Sequence, residues 1–159
     1  MNKNQLEIFI DSLIPKFYSF AYALSADQVQ AEQLVIDAYT VYTLREKDYL
    51  MQLEFDSDNK KSRVALKRLL TVEIYNEIYE LARKKYRKIK PSTQNLYEYK
   101  NFHQLTIQKK AILYLKEKQN LSIEELQEIF ALKRHQVIEL YHNAKHSLVS
   151  DMTNSEALR

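Results

Sequence analysis

Residues 121–148, LSIEELQEIFALKRHQVIELYHNAKHSL, decide how this chain is read. Ser122 stands before an apolar run with Glu125 three residues on, the S-x-x-E spacing in which each side chain satisfies the other residue's unpaired backbone N–H. Ile123, Leu126 and Ile129 then recur at three-residue steps, which is one face of a helix. Ala131, Leu132 and Lys133 make a bend. Val137, Leu140, Tyr141, Ala144 and Leu148 form the inner face of a second helix. Two short helices joined by a tight bend are the layout of a helix-turn-helix, whose second helix can lie in a DNA major groove.

Composition extends the helical reading to the whole chain. The 159 residues make room for one domain or two small ones, and 45% hydrophobic content suits a folded protein. There is no Gly, and Pro15 and Pro91 are the two prolines. Tight hairpins and Gly-rich phosphate loops that need positive φ are therefore disfavoured. The expected fold is all-α: two small helical bundles, the C-terminal one containing the helix-turn-helix. With no Cys, disulfides, thiolate zinc sites and cysteine nucleophiles are excluded. No apolar run approaches the ~20 residues that span a bilayer. The first residues, MNKNQLEIFIDSL, lack the apolar core of a signal peptide, so a cytoplasmic location is expected.

Charge is unevenly distributed. Residues 1–60 hold five basic and ten acidic side chains, residues 61–100 hold eleven and four, and residues 101–159 hold eight and seven. An acidic front and a basic middle suit different partners. The run RKKYRKIK at residues 83–90 places six basic residues in eight. Cations suit a helix C-terminus, but this is more than a cap needs, and phosphates are the alternative partner.

Read in order, residues 4–24 give a helical stretch that should break at Pro15. Ser25 with Gln28 reads as a second capping box. The following helix turns Val29, Ala31, Leu34, Val35, Ala38 and Tyr42 inward and ends near residues 45–48. A polar loop around residues 56–59 leads to a long helix over residues 62–88. Its buried stripe is Ala65, Leu66, Leu69, Val72, Ile74, Ile78, Leu81 and Ala82. The segmentation is then a first module over residues 1–90, a linker over 91–104, a second module over 105–152 and a frayed tail over 153–159. The aromatics Tyr97, Tyr99 and Phe102 suggest that the linker docks. A helix over residues 105–118 precedes the helix-turn-helix.

Three stretches together resemble the small extracytoplasmic-function type of RNA polymerase sigma factor, in a divergent form. Ala31 to Tyr39, AEQLVIDAY, is similar to the family's A-E-D-L-V-Q-E-T-F. In VEIYNEIYELARKK, Asn76, Glu80, Arg83, Lys84 and Lys85 fall on positions of I-A-R-N-x-x-x-D-x-x-R-R. Residues 121–148 are similar to S-x-x-E-I-A-x-x-L-G-I-S-x-x-T-V-K-x-x-x-x-R-A. The resemblance implies a transcription initiation protein with core RNA polymerase and promoter DNA as partners, and an anti-sigma or other regulatory protein as a third. It implies polymerase contacts at Glu32, Gln33, Val35, Ile36 and Asp37. It implies DNA contacts at Asn76, Tyr79, Arg83, Lys84, Lys85, Arg87 and Lys88, and at Arg134, His135, Gln136, Asn143 and Lys145 on the last helix. Tyr75 and Tyr79 suit a core or rim position as well as base stacking.

The departures carry physical consequences. Gln33 replaces an acid and Ile36 a Gln. Ala131 stands where the bend usually has Gly, so its Cβ costs ~1 kcal/mol at positive φ. Lys133 stands where an N-cap Ser belongs, at a cost of about another 1 kcal/mol. Glu139 would repel phosphate, so weak DNA binding by this module alone is expected. A fold kept for binding another protein, as a decoy or adaptor, is the alternative function. His135, Glu139, His142 and His146 fall on one stripe, but one helix supplies few ligands in workable geometry, and no metal or cofactor is assigned. No nucleophile–base pair is readable, and the chain is read as a non-enzyme.

Overall fold

The computed structural model describes residues 3–45, 60–86 and 100–156. Among these, every regular element is an α-helix: α1 (Lys3–Ser25), α2 (Gln28–Arg45), α3 (Lys60–Tyr86), α4 (Lys100–Gln104), α5 (Ile107–Glu117), α6 (Ile123–Phe130) and α7 (Arg134–Glu156). None of the described helices is long and apolar enough to cross a membrane.

Helix α2 packs on α1 and α3, and α1 also reaches α3 and α5. On the C-terminal side α5 and α6 pack on α7, while α3 touches both α5 and α6. The helices on either side of the expected linker therefore lie against one another. One continuous cluster of buried side chains runs from Leu13 on α1 to Ala144 on α7. Its centre is aromatic. Phe17 and Phe20 meet the Tyr75 ring edge-on at centroid distances of 5.1 and 5.3 Å, and Phe20 lies 5.7 Å from Tyr114 on α5. Such pairs add roughly 0.5–1.5 kcal/mol each beyond their burial.

Several local expectations are corrected. Helix α1 runs unbroken through Pro15. Pro15 lies on the exposed side, so the carbonyl that loses its N–H partner can turn to water, while Leu13, Phe17, Phe20 and Leu24 continue one buried face. That continuity outweighs the missing hydrogen bond. Asp27, not Ser25, caps α2: its Oδ1 accepts from the Gln30 N–H at 2.9 Å. Val29 then sits in the exposed first turn, at 75% exposure, whereas Ala31, Leu34, Ala38 and Tyr42 are buried as the periodicity requires. On α3 the buried face carries Leu70, Tyr75 and Tyr79, and Leu69 is turned out. Ala65 and Leu66 lie outside the residues whose side chains are described. Residues 100–104, in the expected linker, form α4, with Phe102 half-buried and His103 buried. Tyr97 and Tyr99 lie outside the described residues.

Lys110 was hidden from pattern reading. It is 3% exposed on α5, and its Nζ donates to the Leu24 carbonyl at 2.8 Å, closing the end of α1. Burial lowers its pKa from 10.5 to about 8. His103 is buried nearby, and burial with the Lys110 charge pulls its pKa below the usual 6.5.

Candidate nucleic-acid interface

The helix-turn-helix is built as its spacing demands. Ser122 Oγ accepts from the Glu125 N–H at 3.1 Å and Glu125 Oε2 accepts from the Ser122 N–H at 2.8 Å, a complete capping box. Leu126, Ile129 and Phe130 are buried. Ala131 ends α6 in the left-handed region at φ 51°, ψ 42°. The Leu132 N–H then returns to the Gln127 carbonyl at 3.1 Å, which pairs an end carbonyl of α6. The start of α7 is capped from within the helix. Gln136 Oε1 accepts from the Lys133 N–H at 2.9 Å, the half of a capping box that the third helical residue supplies, while Lys133 has no side-chain oxygen for the other half. Arg134 reaches back over the bend to Glu124 at 2.6 Å. Val137 and Ala144 are buried and Leu140, Tyr141 and Leu148 half-buried, so the inner face is the expected one.

The outer face of α7 is exposed at Arg134, His135, Gln136, His142, Asn143 and Lys145. Its two cations are already engaged. Arg134 is held by Glu124, and Lys145 lies 3.1 Å from Glu117 and 3.0 Å from the Tyr141 hydroxyl, 5.1 Å over that ring. The Tyr141 hydroxyl also donates to Glu117 in a short contact. Hydrogen bonds from Tyr141 and Lys145 hold the Glu117 carboxyl below its usual range, and the same network raises Lys145. Among the described residues no group of three or more His, Cys, Asp or Glu is placed to hold a metal ion.

At the C-terminal end of α3, Arg83, Lys84 and Lys85 are exposed. Arg83 pairs with Glu80 one turn back at 2.7 Å, which raises its pKa further, and Lys85 lies 5.9 Å over the Tyr86 ring. Surface pairs of this kind contribute roughly 0–1 kcal/mol and exchange readily for phosphate. Arg87 and Lys88 lie outside the described residues. Two candidate DNA contacts have a different place. Asn76 Nδ2 donates to the Ile129 carbonyl at 2.6 Å, and Tyr79, 4% exposed, meets the Phe130 ring edge-on at 4.9 Å. Burial raises the Tyr79 pKa. Sequence pattern missed Arg68, which lies 3.6 Å from Glu125 and 3.4 Å from Glu128. A lone Arg in a charged helix carries no local sign of such a partner.

The second candidate surface is on α2. Glu32, Gln33 and Ile36 are exposed, and Val35 and Asp37 half-buried, with Gln33 Nε2 donating to Asp37 Oδ1 at 2.7 Å. Glu32, Val35 and Ile36 line a groove of about 450 Å³ against α1, completed by Asp11, Ile14, Tyr18, Tyr39 and Thr40. Ile14, Ile36 and Tyr39 expose 45, 57 and 40% of their surface, so this is an apolar patch edged by carboxylates. Ile14 lies outside the sequence motif and Tyr39 ends it, and neither was among the expected contacts.

Comparison with known structures bears on this arrangement. The chain is similar to the sigma factor RpoE from Bartonella quintana, solved in complex with the anti-sigma factor NepR, with a TM-score of 0.62 and 19% identity over 94% of this chain and 97% of that one. The chain has the sigma-factor fold. The sequence resemblance thus holds at the level of architecture, over both groups of helices. No protein-family model matches the sequence, and neither does any curated protein.

Proposed function

We propose that this chain is a sigma-factor-like transcription initiation protein. Its α2 face, through Glu32, Gln33, Val35, Ile36 and Asp37, binds core RNA polymerase. The end of α3 (Arg83, Lys84 and Lys85), with Arg87 and Lys88 next in sequence, and the exposed face of α7 bind promoter DNA. The observation that carries the reading is the pairing, on a sigma-type fold, of an accessible cationic helix end with an accessible helix-turn-helix second helix. The apolar, carboxylate-edged groove on α2 suits a protein partner. Anionic DNA suits the other two surfaces, by phosphate contact and counterion release.

A second reading has its own support. Arg134 and Lys145 are tied to Glu124 and Glu117, and Asn76 and Tyr79 are tied to α6. A protein in this state is poorly prepared for DNA, as a decoy or adaptor would be, and the neighbour's anti-sigma factor supplies a precedent for a regulatory protein partner. The two readings separate in one experiment. Retention of purified core polymerase by the immobilised chain, followed by transcription from a genomic DNA library, supports the first. Retention of a regulatory protein with no core polymerase and no transcript supports the second.

A further inference from the structure

A hollow of about 590 Å³ lies where α1 and α4 meet α5 and α7. It shares Tyr18 with the α2 groove and Lys145 with the outer face of α7, and is otherwise distinct from both. Small-molecule sites enclose roughly 300–1,000 Å³ and set a few polar groups in an apolar, aromatic wall. This hollow is of that kind. Tyr18 and Tyr22 on α1 lie nearly parallel with ring centroids 6.4 Å apart, Phe102 comes from α4, Tyr114 from α5 and Leu148 from α7. Four aromatic rings around one space suit a flat ring system, which they can meet in the offset and edge-on arrangements that rings prefer.

The polar groups of the hollow favour an anion. His103 lines it while only 6% exposed, and its Nδ1 is buried without a hydrogen-bond partner. A buried polar atom left unpaired in this way is rare. The imidazole can turn over about its Cβ–Cγ bond, a two-fold torsion, and so present a nitrogen to the hollow. The Lys110 ammonium is near enough for its charge to bear on that ring. Lys118 and Lys145 line the same space as exposed cations, and the one carboxylate among the lining residues, Glu117, is already paired with Lys145. An imidazole N–H and a surplus of cations complement a carboxylate and offer nothing to an ammonium. We propose that this hollow is a binding site for a planar aromatic carboxylate, its rings among Tyr18, Tyr22, Phe102 and Tyr114 and its carboxylate on His103 and Lys118. Because the walls come from α1 on one side and from α5 and α7 on the other, the bound molecule strengthens the packing between the two groups of helices. The site stands independently of the polymerase and DNA surfaces.

The probe is 2-naphthoate, with 2-naphthamide as its uncharged counterpart and decanoate as a carboxylate without rings. Calorimetric titration of the full chain should show one site for 2-naphthoate, with the other two molecules each roughly tenfold weaker. Saturating 2-naphthoate should raise the melting temperature by several degrees. Of the four histidines, His103 alone lies off α7, so its imidazole proton resonance, assigned by its loss in His103→Leu, reports on the site. Binding should shift that resonance more than the other three. His103→Leu should weaken 2-naphthoate about tenfold and 2-naphthamide much less. Should His103→Leu fail to fold, Lys118→Gln, on an exposed side chain, takes its place and should weaken 2-naphthoate selectively in the same way. Three results overturn the proposal: no binding of 2-naphthoate at about millimolar concentration, binding that leaves the His103 resonance unmoved, or equal affinity for decanoate or 2-naphthamide.

Discussion

Lys110 carries a pH signature that can be worked out in advance. The ammonium is buried, and its pKa falls from 10.5 in the unfolded chain to about 8 in the folded one. Between those values the unfolded chain still holds a proton that the folded chain has released, so stability rises with pH across the window. The contribution is complete above 10.5 and absent below about 8. Each pKa unit is worth about 1.36 kcal/mol, so the whole gap corresponds to ~3 kcal/mol, and about 2 kcal/mol of it is gained by about pH 10. Lys110→Met keeps the length and apolar stem and has nothing to titrate. Urea denaturation of both proteins from about pH 7 to about pH 10 should show the parent gaining about 2 kcal/mol on the variant. The Leu24 carbonyl loses its donor in the variant, which offsets the two curves without sloping either. His103 titrates below the window, and the buried tyrosines Tyr75, Tyr79 and Tyr86, whose pKa values are raised, affect both proteins alike. A difference that stays flat with pH would mean that the ammonium is solvated and that the link between α5 and the end of α1 is not a buried one.

Four further outcomes follow from particular residues. Ser122→Ala breaks the capping box and should cost about 1 kcal/mol of unfolding free energy by urea titration. Ala131→Gly relieves a Cβ at φ 51° and should stabilise by roughly 0.5–1 kcal/mol, seen as a melting temperature higher by about 2–4 °C. Arg83, Lys84 and Lys85 changed together to Ala should weaken duplex binding and reduce the log–log salt slope by about 2–3, and an unchanged slope would remove the end of α3 from the interface. Ile36→Glu, on a side chain 57% exposed, should leave the melting temperature unmoved and lower retention of core polymerase in the pull-down.

The helix-turn-helix was legible because its signals are local. A capping box, a three-step apolar spacing and a missing Gly each sit within a few residues of the structure they specify, and Ser122, Ile129 and Ala131 take the places assigned to them. The buried face of α2 was legible for the same reason, with Val29 misread because Asp27 rather than Ser25 starts the helix. What was not legible is long-range. Pro15 looked like a break because the sequence shows the lost hydrogen bond and not the continuous face that Phe17 and Phe20 make on Tyr75. Lys110 drew no reading because nothing near it in sequence announces the Leu24 carbonyl. Asn76 matched a family pattern and Tyr79 lay within its span, and that pattern says nothing of a second helix lying on them.

In a chain without glycine, Ala26, Asn120 and Ala131 all take positive φ, and each stands at a junction between helices. A side chain in that region has a narrow well, so each joint swivels less than a glycine joint would. The angle at which α7 leaves α6 is set by such a joint, and the aim of its outer residues is correspondingly stiff. A glycine at position 131 would therefore give a sturdier protein that points its last helix less steadily.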